Sequence, residues 1–196
     1  MTSTFINADG FVADNTQPHL GGNYPFKDNA SFVPHVWSYL IKRFNIKTAI
    51  DLGGGYGFCT QWMLANNVQC VNVDGLQHNI DNAVVAESVL HDLTKGPYEH
   101  APVDFVNCIE VVEHVKEDYV DNLMKSLTLG QYVLLTHARP GQVGYHHVNC
   151  QPREYWIEKF DNYGHKLSEE DTIAIRGMTR SSGWHVHRSG LVFIRK

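Results

Sequence analysis

A chain of 196 residues, 43% apolar and carrying a net charge of −5, has the size of one domain with a full hydrophobic core and room for a small lid. Its negative balance argues against a protein that coats nucleic acid by charge alone, and no apolar run approaches membrane-spanning length. Cys59, Cys70, Cys108 and Cys150 show no Cys-x-x-Cys spacing and stand mostly in apolar runs. They are expected to be reduced core thiols of a cytosolic protein, since no basic and apolar leader opens the chain.

Residues 1–30 hold Gly10, Pro18, Gly21, Gly22 and Pro25 among polar residues, which breaks any long periodic element and predicts an arm or lid. Residues 31–196 are expected to form a single domain. In its first helix Phe32, Val33, Val36, Trp37, Leu40, Ile41 and Phe44 share a face, with Ser31 as N-cap and Pro34 in the tolerant first turn. A short strand, Thr48-Ala49-Ile50, then meets the turn Asp51-Leu52-Gly53-Gly54-Gly55-Tyr56-Gly57, and a helix follows over Phe58–Leu64. Glycines at 53, 55 and 57 clear side chains from that turn, so a ligand can approach its backbone. It is neither a dinucleotide fingerprint, whose third glycine would fall on Phe58, nor a P-loop, which needs Gly-Lys-Ser/Thr.

A second strand, Gln69–Asp74, ends in an acid about twenty residues beyond the glycines, where a Rossmann-like unit holds ribose hydroxyls; a turn-initiating Asp before Gly75 is the plainer alternative. A weak helix over 79–86, a third strand over 88–93 and a fourth, nearly all-apolar strand over 104–109 come next. After Glu110-Val111-Val112-Glu113-His114-Val115 the pattern predicts a helix over 119–127. A fifth strand over 131–137 ends at His137. A loop over 138–151 carries His146-His147, and a helix starts at Arg153. The last strand falls at Leu191–Ile194, with one strand and a long loop expected over 165–189. Arg176, Arg180, His185, His187, Arg188, Arg195 and Lys196 make this tail basic, either as a solvated face or as a subsite for an anion. The alternation of strands and helices predicts an α/β, doubly wound sheet.

An acid followed by Gly-x-Gly-x-Gly, then Asp74 and Asp92 at the ends of the next two strands, resembles the class I S-adenosylmethionine (SAM) dependent methyltransferases, in particular their small type 11 and type 23 members. The resemblance covers about residues 30–196. It implies a Rossmann-like sheet of seven strands with the last one antiparallel. It also implies SAM as cofactor, with Gly53, Gly55 and Gly57 at its methionine part and Asp74 on the ribose. Asp92 would hold the adenine amino group while the N–H of Leu93 reads the ring; a surface Asp in a strand-to-loop turn competes for that position. Asp51, Gly75, Leu76 and Glu110 complete the expected cofactor set.

Methyl transfer asks the protein mainly for alignment, because the sulfonium already activates the methyl group. A hydroxyl acceptor must in addition lose a proton or be held by a metal. His137, His146 and His147 are candidate bases at the cofactor edge of the sheet. Glu110, Glu113 and His114, at i, i+3 and i+4, would share a face if that stretch is helical, and His147, or His146 beside it, would add a fourth ligand for magnesium or manganese. This Glu-x-x-Glu-His element, with a later His, resembles that of metal-assisted O-methyltransferases, whose small-RNA and ubiquinone-pathway groups act on vicinal hydroxyls; a cap for the next helix and packing near the cofactor are its alternative roles. The leading expectation is O-methylation of a small-molecule or glycan-like acceptor, away from membranes and from nucleic acid other than a terminal nucleotide. N-methylation, RNA-terminal 2′-O-methylation and a catalytically silent cofactor-binding partner protein stand beside it.

Overall fold

The structure is a computed structural model that describes residues 10–26 and 28–196, and the backbone alone of residues 4–6. Strands β1 (Thr4–Ile6), β2 (Val12–Asp14) and β3 (Gly22–Asn23) form a small antiparallel sheet in the arm. After α1 (Pro34–Phe44), the chain alternates through β4 (Thr48–Leu52), α2 (Phe58–Ala65), β5 (Gln69–Asp74), α3 (Gln77–Asp81), β6 (Ser88–Leu90) and β7 (Val103–Cys108). It continues with α4 (Val120–Leu127), β8 (Gly130–Leu135), α5 (Arg153–Asn162), β9 (His165–Leu167), α6 (Glu169–Met178), α7 (Trp184–Ser189) and β10 (Leu191–Arg195). The main sheet has seven strands in the order β6-β5-β4-β7-β8-β10-β9. Strand β10 pairs antiparallel with both β8 and β9, so the last strand alone runs against the rest, as expected.

Period-two alternation explains why helices cover both faces. Ala49, Phe105, Leu134 and Val192 point to one face, where they pack with Trp37 and Leu40 of α1 and Met63 of α2. Ile50, Val106, Val133, Leu135 and Phe193 point to the other, against Leu123 and Met124 of α4 and Trp156 and Phe160 of α5. Phe160 stacks on Phe193 with ring centroids 3.8 Å apart. Burying a ring of that size stabilises by about 2–3 kcal/mol. The order reverses between β4 and β7, and the crevice outside the carboxyl ends of those two strands is where such a sheet takes its ligands.

Two local readings change. Ser31 is not the cap of α1: its hydroxyl donates to Asp28 at 2.9 Å inside a preceding turn, and Val33 occupies the N-cap position without a side-chain bond. Residues 165–189, read as a strand and a long loop, hold β9 and two helices. Helix α6 starts at a reciprocal cap in which the Ser168 hydroxyl donates to Asp171 at 2.5 Å and accepts from the Asp171 N–H. Helix α7 hangs on the base of the arm, with Gly183 N donating to Asn29 O and His185 N to Ala30 O. None of the described helices is long and apolar enough to cross a membrane, and all four cysteines are free.

Candidate functional site

At the end of β4 the glycine turn folds back on β5. Gly53 N and Gly54 N both donate to the Val73 carbonyl, Gly55 N to Asp74 Oδ2 at 2.9 Å, and Gly57 N to Gly54 O. These N–H groups therefore bond inside the protein, and what the turn offers a ligand is bare Cα surface. Two glycines are required sterically. A Cβ on Gly53, whose φ is +75°, would stand 2.3 Å from Val111, and one on Gly54 would stand 2.4 Å from the Asp51 carboxylate and 2.3 Å from Asn72. Gly57 lines neither of the cavities described below; with φ at +80° and Val85 2.9 Å from where its Cβ would be, it serves the entry into α2.

Asp51 is buried beneath the turn and accepts from Asn107 Nδ2 at 2.8 Å and Thr60 Oγ1 at 3.3 Å. Burial outweighs these bonds and pushes its carboxyl up to about 6. Asn107 is in turn held by the Trp37 indole N–H at 3.0 Å. A polar residue inside the fourth strand's apolar run was the signal for Asn107 in the sequence. Asp74 takes the N–H groups of Gly55 and Leu76 and the Asn79 amide, so it ties the ends of β4 and β5 together. Asp92 accepts from Thr94 N and Oγ1 with one oxygen and meets His19 of the arm at 3.3 Å with the other.

Two adjoining cavities open at this crevice. The larger, of about 400 Å³, is lined by Asp51, Gly53, Gly54 and Gly55 on one side and by Glu110, His114, His147 and His185 on another. Aromatic residues of the arm and the 138–151 loop close it, with Phe11 edge-to-face against both Tyr24 and Tyr145 at 5.4 Å. The smaller, of about 90 Å³, runs past Asp74 and Gly75 to Asp92 and Leu93 under arm residues 19–23. Gly53, Gly55, Glu110 and His114 border both. Leu76 borders neither, and lines a third cavity beside Asp92.

Glu110 has φ at +57° and stands outside the 3-10 turn Val112–His114. Thus Glu110, Glu113 and His114 do not share a helical face. The left-handed backbone aims Glu110 across the crevice, where Thr136 Oγ1 donates to it at 2.9 Å and His185 Nδ1 lies 2.9 Å away. Burial alone would raise the Glu110 carboxyl, but the His185 bond and charge, with Thr136, hold it below its ordinary value. Burial opposes a charge on His185 too, and Glu110 outweighs that and raises it. Glu113 is fully buried. Desolvation first, then the Glu110 charge, push its acid well above the ordinary carboxylate range. As a carboxylate it would leave both oxygens without a donor. Among the described residues no group of three or more His, Cys, Asp or Glu side chains is placed to hold a metal ion. Glu110 is committed to Thr136 and His185 and Glu113 lies off the cavity wall, so Glu110, Glu113, His114 and His147 as arranged do not fit the expected magnesium or manganese site.

The histidines separate clearly. His137 is buried, its ring Nδ1 3.3 Å from the Ala138 carbonyl, and it lines neither cavity; burial lowers its imidazole. His146 also stands off both cavities, in a left-handed conformation. His147 lines the larger one, with Nδ1 at 3.2 Å from the Gln142 carbonyl. It arrives there because Val148 N and Asn149 N both donate to the Glu113 carbonyl, which lays the loop across His114. Burial depresses His114 to about 4, so it is neutral at pH 7. Of the basic tail only His185 reaches the site; Arg176 donates to Gly190 O, Arg195 to Thr128 O, and Lys196 pairs with Asp161.

A seven-stranded sheet with this order and one reversed terminal strand, opening a glycine-lined crevice at its switch point, defines the class I SAM-dependent methyltransferase fold. The family model described as "Methyltransferase domain" matches residues 27–172, and the chain belongs to that family. No curated protein matches it by sequence. Among solved structures it is similar to the methyltransferase domain of a bacterial CtHen1, with 16% identity over 83% of this chain and 96% of that one and a TM-score of 0.57. It is likewise similar to magnesium protoporphyrin IX methyltransferase (ChlM) from Synechocystis PCC 6803 with bound S-adenosylhomocysteine, at 14% identity, 84% of each chain and a TM-score of 0.59. PKMT2 from Rickettsia typhi shares 10% identity over 89% of this chain and 54% of that one, with a TM-score of 0.61. At such identities the likeness is one of fold.

Proposed function

We propose that this methyltransferase moves the methyl group of SAM to a hydroxyl oxygen of a small-molecule or sugar-like acceptor held in the larger cavity, with His147 taking the proton. The observation that carries this reading is that one cavity joins the glycine turn to an imidazole whose Nδ1 is already engaged by a backbone carbonyl. Donating Nδ1–H to Gln142 O leaves the other ring nitrogen as an acceptor for the hydroxyl proton.

The residues present suit the cofactor: Gly53, Gly54 and Gly55 line the larger cavity with no side chain in the way, and Asp74 and Asp92 border the continuation of the crevice. We assign Asp51, Gly53 and Gly55 to its methionine end and Asp74, Gly75, Asp92 and Leu93 to its adenosine. When bound, the cofactor supplies a sulfonium-activated methyl group. The chain's own share is to orient the acceptor between the Phe11, Tyr24 and Tyr145 rings and the Glu110–His185 pair, to shield it from water beneath the arm, and to remove one proton at His147. The arm, residues 1–30, thereby acts as a lid on the 31–196 domain.

A panel of small alcohols, phenols and sugars, assayed for labelled-methyl incorporation with wild-type protein and His147→Ala, tests the reading. Incorporation into hydroxyls that falls about 100-fold or more in the variant is expected for a lost general base. Incorporation into amines alone, or an unaffected variant, would overturn it.

A further inference from the structure

We infer that Asn23, on arm strand β3, binds the cofactor by accepting a hydrogen bond at Oδ1 from the α-ammonium of its methionine part; this rests on the SAM reading above. Asn23 stands at the seam of the site, lining both cavities. Pairing of β3 with β2, Asn23 opposite Val12, holds it there. Its Nδ2 donates to the Tyr24 carbonyl at 3.2 Å, which fixes the amide orientation. The Oδ1 atom is buried and meets no donor among the described residues. An acceptor left that way costs about 1–3 kcal/mol, so the position calls for a ligand that brings an N–H or O–H.

The amide lies directly on the glycine turn: a Cβ at Gly55 would stand 3.3 Å from Asn23 Nδ2 and 3.6 Å from Cγ. That turn is where the methionine part is assigned. Of the groups in that part, namely sulfur, methylenes, carboxylate and ammonium, only the ammonium can donate. The Asp28, Asp51 and Glu110 side chains that line this cavity favour a cationic group there over an anionic one. Asn23 lies outside the glycine and acid pattern along β4 to β7, so nothing in that pattern points to it.

Calorimetric titration of wild-type, Asn23→Ala and Asn23→Asp proteins with S-adenosylhomocysteine and with 5′-methylthioadenosine tests the assignment. The second probe keeps the adenosine and the sulfur but has no amino-acid end. In Asn23→Ala the Kd for S-adenosylhomocysteine should rise about tenfold, equivalent to about 1.4 kcal/mol, while that for 5′-methylthioadenosine stays unchanged. Asn23→Asp, which keeps an acceptor oxygen, should hold S-adenosylhomocysteine within about threefold of wild type. Unchanged S-adenosylhomocysteine binding in Asn23→Ala, or equal losses for both probes, would overturn the ammonium contact. Wild-type protein that binds neither probe would instead overturn the cofactor reading on which it rests.

Discussion

Replacing His185 with Gln removes the positive charge that faces Glu110 and leaves an amide of similar reach. The two groups sit 2.9 Å apart, with side chains 27% and 20% exposed. At an effective dielectric of about 20, two unit charges at that range attract by roughly 6 kcal/mol; desolvation offsets most of it, and a net of about 1.5–2 kcal/mol remains. Burial opposes the imidazolium and Glu110 more than compensates, so the folded His185 titrates above its unfolded value near 6.5. Its contribution is therefore full below about pH 6.5 and is lost as pH rises through the folded value. Glu110 is held below its ordinary value, so its share is present above about pH 4.5 and is lost as pH falls through the folded value. Asp28, 3.9 Å from His185, supports the charge, and Arg188 opposes it. Urea unfolding of wild type and His185→Gln should differ by about 1.5–2 kcal/mol at pH 6 and by only a few tenths at pH 9. A difference that is constant across that range, or larger at pH 9, would refute a charge-based role for His185.

Gly54→Ala should lower stability by about 2 kcal/mol or more and remove cofactor binding, because the added Cβ meets Asp51 and Asn72 under the turn; thermal unfolding and calorimetry read the two effects. For Glu113→Gln, stability at pH 7 should stay within about 1 kcal/mol of wild type, since burial and the Glu110 charge disfavour a carboxylate at this position and an amide carries no charge. Neither protein should take up manganese tightly, and tight uptake by the wild type that the variant loses would revive the metal reading of Glu110, Glu113, His114 and His147.

The elements that repeat locally were legible in the sequence. Short apolar runs in β4, β5, β7, β8 and β10, and the glycine turn between β4 and α2, carry the sheet, because each of those patterns is set within a handful of neighbouring residues. Ser168 and Asp171, three apart, were a cap signal for α6 that the reading of 165–189 as a strand and a long loop missed. Helix α7 was not readable: its six residues begin at Gly183 in a left-handed conformation, and its first N–H groups bond to Asn29 and Ala30, about 150 residues away in the chain.

Side-chain chemistry divided along the same line. Distance from the glycines pointed to Asp74, and the resemblance to the class I methyltransferases pointed to Asp51 and Asp92; all three stand at or just beyond the ends of β4, β5 and β6. Which histidine faces the crevice could not be found that way. His137 follows β8 at the expected edge yet is buried away from both cavities, His147 arrives through a loop hung on the Glu113 carbonyl, and His185 comes from the far end of the chain to meet Glu110. The spacing of Glu110, Glu113 and His114 read as a helix face only as long as the backbone stayed right-handed. A single left-handed residue at Glu110 redirects the carboxylate to His185 and leaves Glu113 buried off the cavity wall. Periodicity describes a repeated conformation and is blind to one residue that departs from it; long-range pairs depend on how distant segments pack, and only the tertiary structure decides that.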